Sequence, residues 1–180
     1  MAQASDIEFI QINTLTKENL KSPFIDQNPN ATIPMLTHGQ TKVIGDAESI
    51  FNYIVNTNER VSEKFFHEAQ AKKIGEILNY FTRTVRRTTS KLIQAVVVPV
   101  VNQTKRRMDS KRIDQCLTEF FVMILPKING YLSEEGYVTG PNISIVDIML
   151  YCELQTICTM YKRDINPSET KLATWRDRLS

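Results

Sequence analysis

Cysteine is scarce in this sequence. Three residues, Cys116, Cys152 and Cys158, form an odd set without a C-x-x-C pair, which excludes a disulfide framework and a structural zinc site. Histidine is scarcer still. His38 and His67 stand far apart without ligand-like neighbours and are expected at the surface. Net charge is nearly absent at +2, so nothing marks a nucleic-acid partner. No apolar run reaches the length of a membrane span. The opening MAQASDIEF lacks the basic and apolar regions of a secretory signal and the arginine-rich character of an organelle presequence. An intracellular protein, cytoplasmic by default or internally targeted to an organelle assembly, is the resulting expectation. Repeats and low-complexity tracts are missing too.

What is present is an ordinary globular composition, 42% apolar and 23% charged over 180 residues, enough for one large or two small domains. The texture changes near residue 58, suggesting a small domain over 1–58 and a helical one over 59–180. In the first part, Ile7, Phe9, Ile10 and Ile12 predict a strand. A short helical or irregular stretch follows and ends at Pro29. TIPML and TKVI, separated by THGQ, predict a hairpin. Asp46 is placed to cap a helix from about Ala47 to Thr57, with Ile50, Phe51, Ile54 and Val55 inward.

The second part is periodic at three and four residues. Ile74, Ile77, Leu78, Phe81, Val85, Leu92, Ala95 and Val96 form one stripe. A single helix over 62–98 would run about 55 Å, so a bend or break is expected, with Pro99 ending or kinking the helix. After the polar loop NQTKRRMDS comes a second stripe: Ile113, Cys116, Leu117, Phe120, Phe121, Ile124, Leu125 and Ile128. Pro126 sits late enough to distort its last turns. Ser144 and Asp147 have capping-box spacing, and the helix they open is expected to bury Ile145, Ile148, Met149 and Cys152. Cys116 and Cys152 read as small core residues. A final helix over about 169–179 carries Leu172, Trp175 and Leu179.

Three stretches in this order, FIDQNPNATIPML, GYVTGPNISIVDIML and the pair TRTVRR and KLATWRDRL, resemble the cytosolic glutathione transferases, theta class most closely. The resemblance covers essentially the whole chain. It implies an α+β fold: a truncated thioredoxin-like domain, then the all-helical glutathione-transferase C-terminal domain, mostly helical overall. It also implies a cis Ile33–Pro34 bond, with the Ile33 backbone pairing with glutathione. An X–Pro bond prefers trans by only about 0.5–1 kcal/mol, so cis geometry there is accessible.

The departures from the family pattern are as informative. The family's first strand, catalytic loop and first helix, roughly 25 residues of ordinary elements, have no counterpart before Ile7, so no catalytic residue is assigned. The family's acidic–Ser pair falls on Asp46 and Ala47, its loop His on Asn19, and its Lys before the proline pair on Thr32. Ile33, Pro34 and Asp46 therefore remain as a vestigial glutathione site. Arg83 and Arg87, with Arg86, are candidate anion contacts in a cleft that Tyr80 and Met149 would also line. The alternative for these arginines is a solvated helix face. Ser144 and Asp147 are a structural cap, and no metal site is expected.

The functional expectation is a catalytically inactive, glutathione-transferase-like subunit of a larger assembly. A protein partner or a second copy would cover the gap in the sheet, unless the sheet closes up or the natural chain is longer. The alternatives are an active transferase joining glutathione to electrophiles and a non-catalytic ligand carrier. No cofactor is required, and glutathione is the expected ligand if the site works.

Overall fold

The computed structural model describes residues 7–44, 47–101, 109–132, 136–162 and 170–180. The chain divides into two compact units, 1–59 and 60–180.

In the first unit, 3₁₀ turns at Thr14–Thr16 and Glu18–Leu20 lead to the short helix α1 (Phe24–Gln27). Strands β1 (Met35–His38) and β2 (Thr41–Ile44) pair antiparallel, with Met35 opposite Ile44 and His38 opposite Thr41. Gly39 takes the first of the two loop positions with φ of +58°, a conformation that a tight hairpin requires and that glycine adopts without a Cβ clash. Helix α2 (Ala47–Thr57) follows. Its inward residues Ile50, Phe51, Ile54 and Val55 are half-buried.

The strand expected over Ile7–Ile12 does not form. Ile7, Phe9 and Ile10 are 55%, 89% and 74% exposed. A strand is completed by a neighbour that takes up its backbone groups, and among the described residues β1 and β2 pair only with each other. The chain then folds on itself locally. The Asn13 side chain accepts from the amides of Leu15 and Thr16, and Glu18 accepts from the Asn13 amide. Phe24 is the one buried apolar side chain among the described residues of this unit.

The second unit is helical. Helix α3 (Glu59–Phe65) and a 3₁₀ turn at Glu68–Gln70 precede α4 (Ala71–Tyr80), which passes through a π turn at Phe81–Val85 into α5 (Arg86–Val101). The expected interruption therefore lies at 66–70. Pro99 does not end α5, which continues to Val101. Helix α6 (Ser110–Thr118) runs through a second π turn, Glu119–Ile124, into α7 (Leu125–Tyr131). Pro126 explains this one: with no N–H for the Val122 carbonyl and a ring that crowds it, the coil widens. The Leu125 amide reaches back to the Phe120 carbonyl, five residues away. The first π turn has no proline inside it, and nothing in the structure explains it. The two π turns pack against each other.

Helix α8 (Ile145–Tyr161) and helix α9 (Thr170–Leu179) complete the unit. The core joins Ile74, Ile77, Phe81, Val85 and Leu92 with Phe120, Ile124, Leu125 and Ile128, and with Leu150, Leu154, Ile157, Leu172 and Trp175. Cys116 is buried as expected, but Cys152 is exposed. Met149 and Ile148 are half-buried. The buried stripe of α8 instead runs through Val146, Leu150, Glu153, Leu154 and Ile157, turning Cys152 outward. No described helix is long and apolar enough to cross a membrane.

Candidate functional site

The loop before β1 is built by its own side chains. Asn28 is fully buried. Its side-chain Nδ2 donates to the Thr32 carbonyl at 2.5 Å, and its backbone carbonyl accepts from the Ala31 amide at 2.9 Å. Asn19 donates to the Ala31 carbonyl at 2.9 Å. These bonds hold Ala31 at φ of +54°, and the Ile33–Pro34 bond that follows is cis. Ile33 is 49% exposed, and no hydrogen bond between described residues engages its backbone. The side chain at Asn19 thus braces the loop that presents Ile33. Asp46 lies outside the described residues. Ala47 opens α2 and is exposed.

In the helical unit the three arginines divide. Arg86 donates to Glu153, whose side chain is only 5% exposed. Arg83 and Arg87 are exposed and make no ion pair among the described residues. Arg83 lies inside the π turn Phe81–Val85 and Arg87 just after it, so the two do not keep the facing that an unbroken α-helix would give. Glu153 was not foreseen, although a signal existed. It stands at i+3 from Leu150 and i−4 from Ile157, in the middle of a buried stripe.

Tyr80 packs edge-on against Tyr131, with ring centroids 6.2 Å apart, and the Lys127 ammonium lies 4.1 Å from its ring centre. Partial burial, reinforced by Tyr131 and Glu119, raises its pKa above the ordinary 10.0. The unfolded chain therefore loses this proton first as pH rises. The contribution of Tyr80 is complete below pH 10.0 and declines as pH climbs through the folded-state value. Alkaline unfolding should begin at higher pH in Tyr80→Phe than in the parent, as followed by circular dichroism. Coincident alkaline transitions would show that other groups control it.

Ser144 and Asp147 form the most highly organised polar cluster. Both are fully buried. Asp147 Oδ2 accepts from the Ser144 amide at 2.8 Å and from its hydroxyl at 2.6 Å. Asp147 Oδ1 accepts from the Val138 amide and from the Trp175 indole N–H, both at 2.8 Å. The cap expected from spacing is present, and it also ties the 136–141 loop and α9 to the start of α8. The Trp175 bond was not foreseen, because it spans 28 residues and leaves no local pattern. Among the described residues no cluster could hold a metal ion.

Residues 88–180 match the glutathione S-transferase C-terminal domain. Human glutathione S-transferase theta-1 is 25% identical over 186 aligned positions, which span 99% of this chain and 74% of that protein. Human glutathione S-transferase T1-1 in its apo form superposes with a TM-score of 0.75 at 22% identity, over 93% of this chain and 69% of that one. A Drosophila melanogaster glutathione S-transferase gives 0.74 at 20% identity, over 96% and 74%. The structural likenesses establish the fold, including the thioredoxin-like character of the first unit. The matched domain covers more than half of the chain, and on that ground the chain belongs to the glutathione S-transferase family.

Proposed function

We propose that this chain serves as an interaction subunit built on the glutathione-transferase fold, without turnover of its own, in an intracellular assembly. The observation that carries this reading is the apolar surface of residues 7–20. Ile7, Phe9, Ile10, Leu15 and Leu20 are each more than half exposed, in a unit where Phe24 alone is buried among the described apolar residues. Apolar area gains roughly 25 cal/mol per Å² when it leaves water, so a protein partner or a second copy covering this surface would stabilise the unit. The commitment of Arg86 to Glu153 and Ala47 in place of the family's serine support the same reading, since both weaken the anion-binding chemistry.

A second reading has its own support. The exposed, unengaged Ile33 backbone beside the cis Pro34 has the form of a peptide-binding edge. In that reading Ile33, Pro34 and Asp46 hold glutathione, and its thiolate attacks an electrophile. A glutathione-binding carrier without chemistry would use the same edge.

The test combines native mass spectrometry of the complex recovered from its source with a conjugation assay using glutathione and a chlorinated nitroaromatic. The expected result is a defined assembly larger than the chain, weakened by Phe9→Ser, with no conjugation above the uncatalysed rate. Conjugation that saturates with glutathione would move the transferase reading to first place. Retention on immobilised glutathione without turnover would favour the carrier.

A further inference from the structure

Two sets of backbone groups in the first unit lack partners among the described residues. The first is the outer edge of β1. In a hairpin with a two-residue loop the closing pair, here His38 and Thr41, exchanges hydrogen bonds, and the pattern alternates from there. The register of Thr37 with Lys42, Leu36 with Val43 and Met35 with Ile44 therefore turns the N–H and C=O groups of Met35 and Thr37 away from β2. No third strand takes them up among the described residues. Nothing in β1 blunts this edge, since it carries no lysine, proline or bulge. The second set is the backbone of residues 7–12, which makes no hydrogen bond between described residues and has the composition of a strand. Asn13 and Glu18 fix the turn directly after it, and with that turn in place the segment does not pair with its own β1. Ile7, Phe9, Ile10, Leu15 and Leu20 together expose about 700 Å², near the roughly 800 Å² that each partner gives to a stable interface.

We propose that a second copy of this chain covers this surface by strand exchange, residues 7–12 of each copy adding to the β1 edge of the other. The proposal rests on the interaction-subunit reading above and names its partner. One chain carries both the unpaired segment and the unpaired edge, so a two-fold pair satisfies both sets at once. A different protein would have to bring a strand and an edge of its own. Six residues are enough to span the four of β1. In an extended segment Ile7 and Phe9 share one face and Ile10 and Ile12 the other. Apolar residues on both faces suit a strand that becomes covered on both sides, and they leave the segment poorly suited to water when it stands alone.

The test uses the full chain alone, purified without companions. Sedimentation velocity over a concentration series should show a reversible monomer–dimer equilibrium. Hydrogen exchange should slow in the dimer at residues 7–12 and at Met35 and Thr37. Gln11 is exposed, and Gln11→Pro removes a ladder donor that the monomer does not use. The two donors lost per dimer should weaken association roughly tenfold or more, with the monomer's circular dichroism unchanged. Excess synthetic peptide of sequence IEFIQIN, residues 7–13, should return the parent dimer to monomer, a readout that requires no variant to fold. A chain that stays monomeric, a dimer whose 7–12 amides exchange as in the monomer, or a dimer indifferent to both the proline and the peptide would each overturn strand exchange. Failure here is separable from failure of the subunit reading. A chain monomeric alone but held in a larger assembly at its source sinks only the exchange, whereas a strand-exchanged dimer that conjugates glutathione sinks only the reading without turnover.

Discussion

Replacing Asp147 by alanine is expected to destabilise the protein by about 3–5 kcal/mol, the range for breaking a buried charged network by removing one partner. The substitution leaves the amides of Val138 and Ser144 and the indole N–H of Trp175 without their acceptor. All of them lie where water does not reach, and each orphaned donor costs about 1–3 kcal/mol. Local relaxation keeps the total below the simple sum, and the Ser144 hydroxyl can turn to another acceptor. Urea unfolding followed by circular dichroism would show the midpoint falling at constant slope. The thermal midpoint should drop by about 8–15 °C for a chain of this size. Asp147→Asn retains the shape and one acceptor oxygen, so its loss should be smaller, about 1–3 kcal/mol. A loss below about 1 kcal/mol for the alanine variant would mean that the three segments are held by packing alone.

Trp175→Ala should cost a similar amount for a different reason. Trp175 is 1% exposed, and large aromatic truncations in a core cost about 3–5 kcal/mol through lost burial and the cavity left behind. Trp175→Phe separates the two contributions, because it keeps most of the apolar area and removes only the bond to Asp147. Its cost should approach that of a single hydrogen bond to a charged group, about 1.5–3 kcal/mol. Combining Trp175→Phe with Asp147→Asn should destabilise by less than the sum of the two single changes, since both act on one bond. Strict additivity would show that the indole and the carboxylate are energetically independent despite their 2.8 Å separation.

The features that were legible in the sequence are those that neighbouring residues specify. The hairpin around Gly39, the start of α2 at Ala47, the distortion before Pro126 and the Ser144–Asp147 cap each depend on a handful of adjacent residues and their backbone preferences. The features that were not legible depend on distant partners. Ile7 to Ile12 has strand composition but no ladder partner among the described residues, and its apolar side chains face water. Cys152, expected inward, faces outward and Glu153 is buried because the apolar content of α8 is high on nearly every side, so periodicity alone could not tell which stripe faces the core. Pro99 failed to stop α5. At the candidate site the cis Ile33–Pro34 bond was legible, because a motif carried it. The division of the arginines depended on a π turn that has no proline or other visible marker inside it.

Trp175 is the only tryptophan in the chain, and its position gives the protein an intrinsic optical reporter. Emission from this indole comes entirely from the junction where α9 meets the head of α8, with the dye's own N–H held by a carboxylate. Quencher access and emission wavelength therefore read the seating of the last helix separately from the helical content of the whole. Detachment of the C-terminal segment would be visible as a spectral event while the remainder of the fold stays intact.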